Sequence, residues 1–259
     1  MKKYIMDMKV TDNIRLHTNY CLLKLTSDQQ LPDMLPGQFV EVRVDNSPTT
    51  FLRRPISINY VDKSTNTLWL LIQIIGDGTR RIADYQPNDV VNVILPLGNG
   101  FSLPTLVSEK LLLVGGGVGT APLLYWGAVL KDKGFTPSFL LGARSKDDIM
   151  QLGDFQKFGQ VYITTEDASL GENGYVTDHS VLTNNSFDRI YTCGPKPMMM
   201  AVARYAAQQS IFCEASLENT MACGIGACLC CVEKTKRGHH VCVCTEGPVF
   251  NIDQLSWQN

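Results

Sequence analysis

Six of the nine cysteines in this 259-residue chain fall between Cys223 and Cys244. Cys223, Cys228, Cys231 and Cys244 stand as C-x4-C-x2-C with a fourth cysteine after a twelve-residue gap, the plant-type spacing for a [2Fe–2S] cluster. Four thiolates have to converge on two irons, so the loop must curl tightly. Gly224 and Gly226, inside the first gap, supply backbone angles closed to other residues. A curl of this kind brings backbone N–H groups near the sulfurs, where they tune the potential. Cys230 and Cys242 leave a second reading open, because Cys228-x2-Cys231 with Cys242-x-Cys244 has the make-up of a four-cysteine zinc site. That alternative leaves Cys223 and the glycine-rich gap idle. A disulfide framework belongs to small secreted domains, and MKKYIMDMKV carries no apolar core that would mark a secretory signal, since Asp7 and Lys9 interrupt it. No run approaches the roughly 18 apolar residues of a membrane span. A cytoplasmic location is expected. A net charge of −2 without a basic stripe excludes nucleic acid as an expected partner.

Upstream, the chain changes character once. Residues 1–102 read as β-rich, with apolar runs at Tyr20–Leu25, Phe39–Val44, Pro55–Tyr60, Thr67–Ile75 and Val90–Leu95. Turn signals such as Leu35-Pro36-Gly37 and Gly76-Asp77-Gly78 separate them, a rhythm that predicts a small antiparallel barrel. From about 108, strands at Lys110–Val114, Ser138–Leu141, Gln160–Thr164 and Arg189–Thr192 alternate with helices at Ala121–Leu130 and Pro197–Gln208. That alternation predicts a parallel α/β sheet. Ile211–Ala215 reads as one more strand before the cysteine module.

Three further motifs carry chemistry. In Arg53-Arg54-Pro55-Ile56-Ser57, the Arg54 fork matches phosphate oxygens and Ser57 offers a hydroxyl to a flavin ring; the alternative is a strand edge broken by proline. Gly76-Asp77-Gly78-Thr79 opens a short helix-like segment, whose N-terminus favours phosphate, or is a plain hairpin turn. Gly115-Gly116-Gly117-Val118-Gly119-Thr120 follows a strand and opens a helix, the context of a nucleotide loop. Thr120 stands where the dinucleotide fingerprint has its third glycine, and the lysine of a P-loop is missing. Cys193-Gly194-Pro195 lies at the carboxyl end of a later strand, where ligands bind in open sheets; a buried inert thiol is the alternative. The four histidines, His17, His179, His239 and His240, form no metal or nucleophile pattern. The Met198–Met200 run reads as core.

In order, RRPIS, GGGVGTAP and CGPKPM resemble the ferredoxin-reductase superfamily. MACGIGACLCC, VCTEGPVF and GENGYVTD resemble the electron-transfer subunit of NAD-dependent (type B) dihydroorotate dehydrogenase. The resemblance covers essentially the whole chain and implies an α+β multidomain fold. Residues 1–102 would be an FAD-binding β-barrel, 103–212 an NAD-binding α/β domain and 213–259 a [2Fe–2S] module. It implies that Arg54, Pro55, Ile56, Ser57, Leu71, Ile72 and Gln73 hold FAD, with Gly78 and Thr79 completing the pyrophosphate site. Gly115, Gly116, Gly117, Gly119, Thr120, Cys193 and Gly194 would meet NAD, and Cys223, Cys228, Cys231 and Cys244 would be the cluster ligands. Two departures stand out: Cys230 replaces a usual small residue, and Ile56 stands where many broader relatives have an aromatic. The implied activity is a relay in pyrimidine biosynthesis. An FMN-containing catalytic subunit oxidises dihydroorotate, and electrons pass through the cluster and FAD to NAD+, in a heterotetramer of two subunits of each kind. No catalytic acid or base is expected. Arg144 and Lys146 are placed to meet a 2′-phosphate, whereas the resemblance favours NAD+. The alternatives are a related subunit of a ferredoxin:NADP transhydrogenase or sulfide-dehydrogenase-like complex, and a zinc-stabilised nucleotide sensor.

Overall fold

The computed structural model describes residues 2–258. The first sheet contains β1 (Tyr4–His17), β2 (Tyr20–Thr26), β3 (Phe39–Val42), β4 (Arg54–Ser57), β5 (Tyr60–Asp62), β6 (Thr67–Gln73) and, after α1 (Asp77–Ala83), β7 (Val90–Leu97). Its order is β4-β3-β7-β1-β2-β6-β5, antiparallel throughout. The end strands β4 and β5 do not pair with each other, so the expected barrel is a curled, open half-barrel. Met8, Val10, Leu23, Leu25, Val40, Val42, Val91 and Val93 fill its concave face. Alternation sends every second side chain there.

The second sheet is built from β8 (Leu111–Gly116), α2 (Ala121–Asp132), β9 (Pro137–Ala143), α3 (Leu152–Gln156), β10 (Gln160–Thr165), β11 (Glu172–Asn173), α4 (Val181–Asn184), β12 (Arg189–Cys193), α5 (Lys196–Gln208) and β13 (Phe212–Ser216). The strands run parallel in the order β11-β10-β9-β8-β12-β13. Their near-continuous apolar runs suit a sheet covered by helices on both faces. A short hairpin, β14 (Val232–Lys234) and β15 (His240–Cys242), follows, and β16 (Val249–Asn251) then pairs antiparallel with β13. The second sheet is therefore completed by strands on the far side of the expected boundary at 212/213.

One apolar core ties the three parts together. Phe39 and Leu97 from the first sheet, Leu112, Val114 and Ile190 from the second, and Cys231, Val243, Cys244 and Phe250 from the cysteine module all belong to it. Asn99 adds polar stitching: its side-chain amide donates to the carbonyls of Thr245 at 3.1 Å and Glu246 at 3.0 Å. Among the described residues no helix is long and apolar enough to cross a membrane.

Candidate functional site

The cysteine loop leaves β13 and winds through residues with positive φ: Gly224 (+65°), Gly226 (+85°) and Leu229 (+58°). Space as well as angle demands glycine here. A Cβ on Gly224 would fall 2.7 Å from Glu41 Cγ, and one on Gly226 would fall 2.9 Å from Thr245 Cγ2. The curl turns backbone donors onto sulfur. Ile225 N–H donates to Cys223 Sγ (3.5 Å), Cys230 N–H to Cys228 Sγ (3.5 Å) and Cys244 N–H to Cys231 Sγ (3.4 Å). Burial pushes the Cys223 thiol up, but the N–H groups of Ile225, Cys228 and Ala227 and the Cys228 thiol together hold it down to about 6. Burial and the hydrogen bond with Cys231 push Cys244 up to about 12.

Backbone donors aimed at the sulfurs of Cys223, Cys228 and Cys231 suit a four-cysteine cluster. Cys231 and Cys244 are buried and Cys228 is exposed, flanked by exposed Ile225 and Leu229. Cys230 is exposed. Cys242 lies in the hairpin, where its N–H donates to Glu246 Oε1 at 2.8 Å.

Next to β3 runs β4, an edge strand whose residues Arg54, Pro55, Ile56 and Ser57 are all half-buried. The two arginines divide their work. Arg53 bonds the carbonyls of Glu41 (3.2 Å) and Asn92 (3.1 Å) and braces the sheet. Arg54 donates to the Arg53 carbonyl alone, at 3.2 Å, which leaves most of its fork uncommitted among the described residues. It lies across Gly78, where a Cβ would fall 2.6 Å from Arg54 Nε. Ser57 Oγ has no protein partner among the described residues. The Thr79 hydroxyl is spent on the turn: it accepts from Ile75 and Gly76 N–H and donates to the Gly76 carbonyl. Leu71 and Ile72 are buried in core clusters, so they meet a ligand only through backbone. That backbone is open, because β5 pairs with β6 only along Thr67–Trp69. Gln73 donates to the Tyr20 hydroxyl at 3.2 Å.

In the second sheet the strand order reverses at β8, between β9 and β12, and such a switch point opens a crevice at the carboxyl ends. The glycine loop and Gly194 meet there. A Cβ on Gly119 would fall 2.3 Å from Gly194 Cα, one on Gly116 2.5 Å from Met198 Sδ, and one on Gly115 2.8 Å from Thr120 Cγ2. Packing alone accounts for those three glycines. Gly117 (φ +55°) is the open one; its nearest neighbour is the Tyr20 hydroxyl, 3.8 Å from a built Cβ. The Thr120 hydroxyl closes the turn onto the Gly117 carbonyl (3.0 Å). Cys193 packs in a core with Phe101, Leu113 and Trp126, and burial pushes its thiol up to about 12. Arg144 and Lys146, just past β9, are exposed.

Two carboxylates escaped sequence reasoning. Glu41 is 1% exposed with neither carboxyl oxygen hydrogen-bonded; burial raises it to about 7, with Arg53 opposing and Cys223 adding. Glu218, just past β13, shares a small cavity with Gly194, Pro195 and Trp257 and is also raised by burial. A concavity of about 710 Å³ lies by the β14–β15 hairpin against Lys236, Arg237 and Asp253, and holds none of the sequence-predicted site residues.

Comparison with known proteins bears on this geometry. The family model for the iron–sulfur cluster binding domain of dihydroorotate dehydrogenase B matches residues 218–256, and that for the oxidoreductase NAD-binding domain matches residues 113–204. Three curated proteins named dihydroorotate dehydrogenase B (NAD(+)), electron transfer subunit, are similar over most of their length. The one from Fusobacterium nucleatum is 36% identical, covering 95% of this chain and 96% of that protein. That from Shouchella clausii is 40% identical, covering 85% and 86%, and that from Listeria innocua 39%, covering 90% and 91%. Among solved structures, an NADH-dependent reduced ferredoxin-NADP oxidoreductase is 25% identical with a TM-score of 0.87, covering 96% of this chain and 90% of that one. A ferredoxin NADP+ reductase from Neisseria gonorrhoeae, solved with bound FAD and NADP, shares the fold at 16% identity and a TM-score of 0.64, covering 79% and 91%. Similarity this extensive, running through the cysteine loop and the glycine loop alike, makes the chain a member of the family of dihydroorotate dehydrogenase B (NAD+) electron transfer subunits.

Proposed function

We propose that this chain conducts electrons between a catalytic partner and NAD+, with Cys223, Cys228, Cys231 and Cys244 as ligands of a [2Fe–2S] cluster and β4 and β6 as the seat of FAD. What supports the reading is the curl of the cysteine loop, which aims backbone N–H groups at the sulfurs of Cys223, Cys228 and Cys231 and seats Cys231 and Cys244 in the core shared with Phe39 and Leu97 of the first sheet. A cluster passes electrons singly and a flavin exchanges them singly or in pairs with a nicotinamide.

The chain's residues hold and aim. Arg54, with most of its donors uncommitted beside Gly78, would hold the flavin pyrophosphate. Ser57 offers its hydroxyl to the ring, and the open edge of Leu71, Ile72 and Gln73 offers backbone groups. Gly117 gives a nucleotide phosphate its approach, and the backbone of Gly115, Gly116, Gly119 and Gly194 packs tightly enough to keep that approach fixed, with Thr120 closing the turn. Cys193 contributes backbone, its thiol being buried. Hydride transfer between stacked rings asks for no proton at the protein, so no acid or base is assigned. Cys228, with Ile225 and Leu229 beside it, is the exposed edge through which a partner reaches the cluster.

The partner is an FMN-containing, dihydroorotate-oxidising subunit, assembled as two of each chain in the cytoplasm, and NAD+ is the acceptor in preference to NADP+. Identities of 36–40% to electron transfer subunits, against 25% to the ferredoxin-NADP oxidoreductase, support this partner. Co-purification from the native cell tests it. Recovery of an FMN protein that oxidises dihydroorotate is expected, and recovery of a different flavoprotein in its place would overturn the partner assignment. Steady-state rates with NAD+ and NADP+ test the acceptor; a preference for NADP+ would refute it.

A further inference from the structure

Tyr20 belongs to the first sheet but faces the glycine loop of the second. Its ring, 5% exposed, lies in a small apolar cluster that joins the two sheets. Leu16 and Leu71 come to that cluster from the half-barrel, and Val118, Ala121 and Met150 from the nucleotide side. A phenylalanine would fill the same space, so packing explains the ring and not the hydroxyl. The hydroxyl points to the open position of the loop. Apart from the loop's own adjacent residues, it is the only atom among the described residues within 4 Å of a Cβ built on Gly117, at 3.8 Å.

Only half of that hydroxyl is spent. It accepts from Gln73 Nε2 at 3.2 Å, and its own proton has no acceptor among the described residues. Buried polar groups rarely leave a hydrogen unused. Burial and Asp148 push the phenol up, against Arg144, so it keeps its proton and stays a donor. Arg144 and Asp148 both lie just past the carboxyl end of β9, on the crevice side of the sheet. Asp148 is turned to other partners: it accepts from Ser145 Oγ at 3.2 Å and lies 3.8 Å from His17 Nδ1. Gly117 therefore faces a proton donor braced by β6, with the Arg144 cation within electrostatic reach. That combination suits a phosphate oxygen.

We propose that Tyr20 reaches across from the flavin half-barrel and donates its O–H to a pyrophosphate oxygen of NAD seated at Gly117, with Gln73 holding the hydroxyl in place. Gln73 lies on β6, whose backbone edge is offered to the flavin. The Gln73–Tyr20 pair thus sets the nucleotide's phosphates at a fixed distance from the strand beside the flavin ring. The inference rests on the assignment of the glycine loop to NAD, and the two remain separable. Wild-type protein that binds neither NAD+ nor ADP-ribose defeats that assignment, whereas wild-type binding matched by Y20F defeats this inference alone.

The test is isothermal titration calorimetry of cofactor-loaded wild type and Y20F with NAD+ and with ADP-ribose, which keeps the pyrophosphate and lacks the nicotinamide. Phenylalanine preserves the ring in its cluster and removes only the hydroxyl. Y20F is expected to bind both ligands about ten-fold more weakly, the loss of one hydrogen bond to a charged group. Stopped-flow reduction of FAD by N-benzyl-1,4-dihydronicotinamide, which carries no phosphate, is expected to proceed as in wild type. Equal affinity of the two proteins for ADP-ribose overturns the proposal. So does a Y20F protein that loses FAD, or that slows the phosphate-free donor as much as it slows NADH, because the hydroxyl would then serve the flavin side through Gln73.

Discussion

Arg54 lies across Gly78 so closely that a Cβ on Gly78 would fall 2.6 Å from Arg54 Nε. The missing side chain is what allows the guanidinium to rest there with most of its donors uncommitted. Replacing Gly78 with Ala should displace Arg54 and weaken FAD retention, and Arg54→Ala should do so directly. Loss of a charge-assisted pair at about 1.5–3 kcal/mol corresponds to FAD binding weaker by roughly 10- to 100-fold. Flavin-to-protein ratio and a fluorescence titration of apoprotein read this out. An R54A protein that retains FAD as wild type would remove Arg54 from the site.

The contact between Gly119 and Gly194 is backbone on backbone. Gly119→Ala has nowhere to put its methyl. Overpacking of this kind costs about 1–3 kcal/mol, and for a chain of this size that lowers Tm by several degrees. The KM for NADH is expected to rise, because the loop carrying Gly117 must shift. Calorimetry and NADH:ferricyanide kinetics check both, and an unchanged Tm would show that the two loops can part freely.

Glu214 gives a pH dependence with a definite sign. Burial raises its carboxyl above 4.5, even though it accepts the Ser102 N–H at 2.9 Å. The folded state therefore holds this proton more tightly than the unfolded state. Its contribution to stability is fully present below 4.5 and is lost as pH rises through the raised folded value. Glu214→Gln keeps the acceptor and removes the charge. Its Tm should exceed wild type at pH 7–8, with the difference shrinking toward pH 4.5. A difference that grows on acidification would contradict this.

The cysteine assignment predicts a clean division among six serine variants. C223S, C228S, C231S and C244S should lose iron and sulfide, while C230S and C242S should keep both. Cys230 is exposed and Cys242 is held in the hairpin by its N–H bond to Glu246. Cluster loss in C230S or C242S would redraw the ligand set.

The candidate site could be proposed from sequence because the cysteine spacing, Arg54 with Ser57 on one short strand, and the glycine loop each bring their chemistry together in adjacent residues. What escaped depended on distant chain. Strand β1 was missed although it lies at the centre of the first sheet, because charges at Asp7, Lys9 and Asp12 break its apolar run; the signal was the alternation of Met6, Met8 and Val10. Pro55–Tyr60 reads as one strand, yet the chain turns there, because Ile58 N–H bonds the Gln38 carbonyl and Asn59 N–H the Trp69 carbonyl. β16 was hidden because its partner β13 lies some thirty residues upstream. Glu41 reads as the solvent face of a half-buried strand, and the loop that covers it comes some 180 residues later. Leu71 and Ile72 were assigned to a ligand, and the sheet puts their side chains into the cores, leaving only their backbone edge to offer.

The central claim is that electrons from the partner enter through a cluster held by Cys223, Cys228, Cys231 and Cys244. The direct measurement is NAD+ reduction by dihydroorotate in the assembled complex carrying C231S, with FAD content matched to wild type and iron measured in the same sample. The account predicts background NAD+ reduction alongside retained NADH oxidation by ferricyanide. A complex without the cluster that still reduces NAD+ at the wild-type rate would contradict it.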